Sequence, residues 1–263
     1  MSANPDDRLR LPPREPILNL PAAVVWLIAA LVLVQGAREF LDAYDDFVVM
    51  SWLAFVPARL SLWLEPERLN ELVQSLGTAG STEFGQRLQL IRLLLADGGP
   101  RLWTLVSYGL LHGSWLHLIS NVVWLAAFGS PVARRLGTAR FLNLMALSTI
   151  AGALLHWWSR ELDVLPLVGI SAGVSGATAA AIRFVFSPGV QFGGLGHDEA
   201  VRAIPAEPLG SLWRNSRALL FIVIWFVTNI LFGAGLVPIL GEETSIAWEA
   251  HIGGFVAGLL LFP

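Results

Sequence analysis

The sequence predicts an all-α fold, a polytopic membrane bundle of six transmembrane helices. Three observations predict it. Of 263 residues, 55% are hydrophobic and only 14% charged, with mean hydropathy +0.63. Soluble domains carry about 25% charged residues. The apolar residues gather into runs approaching twenty, the length that crosses a hydrocarbon core of about 30 Å. Arginine, which supplies all 17 basic residues, collects in alternate loops between those runs.

The first sixteen residues, MSANPDDRLRLPPREP, are polar and rich in Pro and Arg. They read as a disordered cytoplasmic tail, with residues 17–263 forming the membrane domain. No cleavable signal is evident, and the first run, about Pro21–Gly36, is long enough to remain as an anchor. A long segment, 37–101, follows. Within it Phe47–Leu64 is apolar but broken by Pro57 and Arg59. Its two tryptophans and internal proline fit an interfacial helix or hairpin better than a span. Residues 65–101 are mixed in charge. Span two is expected at about Trp115–Val132, with an apolar lead-in from Leu102. Spans three to six follow at about Phe141–Trp158, Val168–Phe186, Leu219–Val237 and Ile246–Phe262.

Arginine placement orients the bundle. Arg134, Arg135 and Arg140 lie between spans two and three. Arg183, Arg202, Arg214 and Arg217 lie in or beside the loop between spans four and five. The short loop before span six has Glu242 and Glu243 and no arginine. Both termini are then cytoplasmic, and 37–101 lies outside. A seventh span at 47–64 would reverse every later loop and break the pattern.

Composition also excludes chemistries. With no cysteine there is no disulfide, thiol nucleophile or thiolate metal site. A net charge of −3 gives no basis for binding nucleic acid. No His-Glu-x-x-His spacing appears, and no span core holds a pair of aspartates, so metalloprotease and aspartyl chemistry are set aside. No metal or cofactor is implied.

Five polar residues stand out because ionisable and polar groups are expensive in a bilayer. His251, in Glu249-Ala250-His251-Ile252-Gly253-Gly254, opens the last run. His117 and Asn121, at i and i+4, share one helix face in span two. Ser171 and Ser175 open span four. At 1.5 Å per residue, His117, Ser171, His251 and Asn121 lie about 3, 4, 7 and 9 Å into their spans, all from the outer side. The structural reading of the His117–Asn121 pair is interhelical hydrogen bonding; the functional one is a set of donors for an oxyanion. His112, near the outer surface, is ambiguous, and His156 and His197 read as structural or solvated. Gly254 and Gly258 follow His251 at i+3 and i+7, and span four has a matching small face, Gly169, Ala172, Gly173, Gly176, Ala179 and Ala180. Close approach there brings a serine hydroxyl to the imidazole, which can take its proton as the oxygen attacks a carbonyl. Glu249, two residues from His251, points elsewhere and is an unlikely third member.

These residues resemble the rhomboid family of intramembrane serine proteases. Leu111–Asn121 is similar to its His-x-x-x-Asn segment, Val168–Gly176 to its serine motif, Trp225–Gly233 to its fifth span and proposed side gate, and Ala250–Gly254 to its Ala-His-x-x-Gly motif. The similarity covers about residues 100–263. It implies a serine–histidine dyad open to water from the outer side, acting on an unwound peptide bond of a substrate's transmembrane segment. His251 would be base and then acid. His117, Asn121 and the serine's own N–H would hold the oxyanion. The implied partners are a membrane protein with a transmembrane helix and the bilayer. The expected location is multi-pass in a membrane, a bacterial inner membrane for a chain this short without targeting signals.

The family's Gly-x-Ser-Gly has two readings here. Gly173-Val174-Ser175-Gly176 is the literal match, and Gly169-Ile170-Ser171-Ala172 carries alanine in the last place. Ser171 is favoured as nucleophile because it follows the loop ending at Gly169 and better matches His251 in depth; Ser175 is the alternative. Ala172 also leaves open a catalytically inactive relative that binds transmembrane helices. A transporter would want polar residues through the full depth or inverted repeats, and neither is seen.

Overall fold

In the computed structural model, residues 19–75, 82–95, 97–190, 198–233 and 247–263 are described. The expected tail at 1–16, His197, the end of span five, the start of span six and Glu242–Glu243 lie outside them. Among the described residues every regular element is helical, with one isolated antiparallel bridge between Phe55 and Leu167.

Helix α1 (Ala22–Arg38) starts after Pro21 and ends at Arg38. The Arg38 guanidinium donates to Asp46 at 2.7 and 3.0 Å and to the His112 carbonyl at 2.7 Å, tying α1 to the lead-in of the second span. The Asp42 carboxylate accepts from the Tyr44 and Asp45 amides and so caps α2 (Ala43–Leu53). The chain then breaks, and Pro57 occupies the first turn of α3 (Pro57–Leu64), where its missing N–H costs nothing. The apolar stretch 47–64 is therefore divided between two short helices of 11 and 8 residues, each too short to cross a bilayer. Helices α4 (Leu69–Ser75) and α5 (Thr82–Leu95) complete the segment, and α6 (Thr104–Ser107) lies in the lead-in that follows it. Arg59 and Arg101 converge on Asp97 within it. Ser61 Oγ donates to the Glu161 carbonyl at 2.6 Å, fastening the segment to the loop before Ser171.

Ser114 caps α7 (Trp115–Trp124) by accepting from the His117 amide. This helix continues through a π-helical turn, Leu125–Gly129, into α8 (Ser130–Leu136), making one apolar helix of 22 residues. Gly137, at φ 77°, turns the chain into α9 (Thr138–Ser159). Then come α10 (Ser171–Val185), the short α11 (Asp198–Ala203), α12 (Ser216–Gly233) and α13 (Trp248–Leu261). Among the described residues, three helices, Trp115–Leu136, Thr138–Ser159 and Ser216–Gly233, are long and apolar enough to cross a membrane. Helices α1 and α13 are apolar but shorter, with 17 and 14 residues. Large side chains such as Trp26, Leu33, Leu220 and Leu260 are exposed on the helix flanks, as expected of a surface solvated by lipid.

The centre of the bundle is the trio α9, α10 and α13, which pack more closely on one another than any other elements. Glycine makes this possible. A methyl at Gly254 would fall on the backbone of Ala172, and one at Gly258 on the backbone of Gly176. Gly253 meets the Ala151 carbonyl of α9 in the same way, and Gly173 meets Met145 and Thr149. Helices without a hydrophobic drive between them gain by such close approach, because dispersion contacts accumulate between backbones. The small-residue stripes of spans four and six meet as expected.

Candidate active site

Span four is expected from Val168, but α10 begins at Ser171. The three residues between are held in a non-helical turn. The Leu167 amide donates to the Phe55 carbonyl at 2.8 Å, and the Gly169 amide to the Tyr108 carbonyl at 3.0 Å. Tyr108 is itself buried and donates its hydroxyl to the Thr149 carbonyl of α9. Gly169 has φ 109°, where a side chain is strained. A Cβ there would also lie 2.8 Å from His117 Nε2. This turn therefore demands glycine twice over, and it delivers Ser171 as the first residue of α10.

The turn and the glycine contacts together bring Ser171 to His251. The imidazole Nε2 lies 2.8 Å from Ser171 Oγ. Ser175, one turn deeper and buried, donates its hydroxyl to the Ser171 carbonyl at 2.8 Å. The two serines thus differ in partner: one faces an imidazole, the other satisfies its own helix.

His117 of α7 lines the neighbouring wall. The His117 ring edge lies against Gly169, and a Cβ at Gly169 would lie 2.8 Å from that ring and 3.7 Å from Ser171 Oγ. Asn121 is buried one turn further along, and one of its amide N–H groups donates to the His117 carbonyl at 3.1 Å. His112 is fully buried and meets the His117 ring edge-on, with centroids 5.0 Å apart. As the first residue of α10, Ser171 has an N–H with no intrahelical acceptor, and that helix end carries partial positive charge.

Glu249 does not approach the imidazole nitrogens' partners. It is buried and paired with Arg160 Nε at 2.7 Å, with His156 Nδ1 3.6 Å away. The second imidazole nitrogen of His251 instead meets Asn229 of α12: Nδ1 lies 2.6 Å from Oδ1. No motif or spacing in the sequence points to this contact. The available signal was a lone carboxamide in the apolar run Phe221–Gly233, but nothing in the spacing tells which way it faces.

Comparison with known proteins places these residues in context. A family model described as Rhomboid domain matches residues 99–262. The rhomboid protease GlpG of Pectobacterium atrosepticum is 28% identical over 240 residues, covering 91% of this chain and 60% of that protein. The rhomboid protease GlpG of Serratia proteamaculans is 30% identical over 161 residues, covering 61% and 47%. That of Yersinia pestis is 32% identical over 161 residues, with the same coverage. The chain thus spans between 47% and 60% of the length of these curated relatives.

Proposed function

Because this chain belongs to the rhomboid family, we propose that it is an intramembrane serine endopeptidase acting through Ser171 and His251. The observation that carries the reading is the 2.8 Å separation of Ser171 Oγ and His251 Nε2, on helices whose backbones touch. In this mechanism the hydroxyl donates to Nε2 and the oxygen attacks a peptide carbonyl of a substrate transmembrane segment. The imidazolium then gives its proton to the departing amine, leaving an acyl-enzyme. Water, activated by the same imidazole, releases the acid and restores the hydroxyl. The negative oxygen of each tetrahedral intermediate is met by the Ser171 N–H at the start of α10, by His117 and by Asn121. No step calls on a metal or cofactor.

The proposal extends to topology: six spans within residues 17–263, a cytoplasmic tail at 1–16 and the segment 37–101 on the outer side. The site then opens outward, where water reaches it. It also extends to location in a bacterial inner membrane and to partners, namely membrane proteins with a transmembrane helix. No observation favours an inactive helix-binding protein. Ala172, which suggested one, packs its methyl against Gly152 of α9, so the alanine is accommodated by a glycine on the neighbouring helix.

Three variants in proteoliposomes test the reading. Ser171→Ala and His251→Ala abolish cleavage of a model transmembrane substrate and labelling by a fluorophosphonate, while Ser175→Ala keeps both. Labelling that survives Ser171→Ala and disappears in Ser175→Ala reassigns the nucleophile. Cleavage at the parental rate by His251→Ala ends the dyad proposal.

A further inference from the structure

Two polar residues interrupt the apolar run of α12, and they are satisfied in different ways. Thr228 turns its hydroxyl back to the Ile224 carbonyl within its own helix. Asn229 reaches across to another helix. Its Nδ2 donates to the Trp225 carbonyl at 2.7 Å, and its Oδ1 lies 2.6 Å from His251 Nδ1. The first bond fixes the orientation of the amide, because a flipped group would set an oxygen against a carbonyl. The end presented to the imidazole is therefore an acceptor.

An acceptor at Nδ1 selects one tautomer. The neutral ring carries its proton on Nδ1 and keeps a lone pair on Nε2, facing the Ser171 hydroxyl. The other tautomer would place N–H against that hydroxyl and could take no proton from it. The same bond holds the ring plane and strengthens as the imidazole becomes cationic. A carboxylate would do this too, but a fixed negative charge costs more than a carboxamide on a helix facing lipid. The only carboxylate close in sequence, Glu249, is taken by Arg160.

We infer that Asn229 is a positioning residue for the base, a neutral third member that sets the tautomer and orientation of His251 from α12. The inference rests on the reading of Ser171 and His251 as nucleophile and base.

The test uses the full chain in proteoliposomes, with kcat and KM for a transmembrane substrate measured across pH. Asn229→Ala lowers kcat roughly tenfold to a hundredfold, part of what general-base catalysis supplies, with KM within about twofold. Asn229→Asp keeps the acceptor. It recovers much of the lost kcat and moves the acidic limb of the profile to higher pH, because a carboxylate favours the protonated ring. Parental kcat in Asn229→Ala overturns the inference. So does an acidic limb in Asn229→Asp that coincides with the parent's, and this variant decides the matter if the alanine variant does not fold. Fluorophosphonate labelling separates the two levels. Labelling of the parent that survives His251→Ala means that the dyad reading has failed. Labelling lost in His251→Ala but unchanged in Asn229→Ala means that only the role of Asn229 has failed.

Discussion

The trio α9, α10 and α13 and the single helix α12 hold the same imidazole by different means. Within the trio, glycines let backbones touch, so Ser171 and His251 sit on helices in backbone-to-backbone contact at Gly254–Ala172 and Gly258–Gly176. Helix α12 leans on α13 through rings. Trp225 stacks on Phe255 with centroids 4.5 Å apart, and Phe226 meets Phe255 edge-on at 5.5 Å. Only 17% of α12 is buried inside the protein, against 39% of an apolar 18-residue stretch of α9. The distance between nucleophile and base is thus set by a rigid contact, and the tautomer of the base by a softer one. Damage to the first should remove the fold and the site together. Damage to the second should slow the reaction and leave the fold.

The largest effect is expected at the rigid contact. Gly254→Leu drives a side chain into the Ala172 backbone, so the helices must part. Overpacking of this kind costs about 1–3 kcal/mol or more, and backbone cannot yield as a side chain can. The expected outcome is a melting temperature in detergent many degrees below the parent, with fluorophosphonate labelling lost. Gly36→Leu on α1, where nothing lies within 4 Å, is the control and should match the parent. Equal stability of the two variants would erase the distinction between the regions.

A smaller effect is expected at the soft contact. Trp225→Ala removes the stack on Phe255, and such pairs contribute about 0.5–1.5 kcal/mol beyond area burial. Its consequence for rate should run through Asn229, which donates to the Trp225 carbonyl one turn below. The double variant Trp225→Ala/Asn229→Ala should then be little slower than Asn229→Ala alone. Fully multiplicative rate losses would mean that the two residues act independently.

The same contrast explains what was legible in the sequence. The trio's geometry rests on stripes of small residues at helical spacing, and Gly254, Gly258, Gly173 and Gly176 can be read directly as a pattern. The meeting of spans four and six follows from them, and the break at Pro57 follows from the proline itself. Asn229 leaves no pattern. One amide in an apolar run has no period, and its partner is 22 residues away across a loop. The late start of α10 was also hidden. Val168–Ile170 is apolar enough to be helical, and only the bonds from Leu167 to Phe55 and from Gly169 to Tyr108 keep it out of the helix. The ion cluster in 37–101 was visible only as mixed charge, since Arg59 and Asp97 are 38 residues apart.

That cluster gives the smallest expected effect and a control for both regions. Burial pushes the Asp97 carboxyl upward, but hydrogen bonds and charge from Arg59 and Arg101 outweigh it and hold the group below its ordinary value of 3.8. A depressed carboxylate contributes stability above its unfolded value, and the contribution is lost as pH falls through the lower folded value. Asp97 is 37% exposed, so solvent screens the interaction and the contribution is modest. Asp97→Asn should lower the melting temperature by about 2–4 °C at pH 7, the shift expected of about 1 kcal/mol in a chain of this size. The gap between variant and parent should narrow as the pH is taken below 3.8. Labelling of Ser171 at pH 7 should be unchanged, because Asp97 bonds to Arg59 and Arg101, whereas the segment meets the loop before Ser171 through other residues, at Ser61–Glu161, at Ala58–Asp163 and at the Phe55–Leu167 bridge. A loss of labelling without a loss of stability would show that this bridge carries strain from the outer segment into the turn at Gly169, and the rigid region would then extend beyond the three central helices.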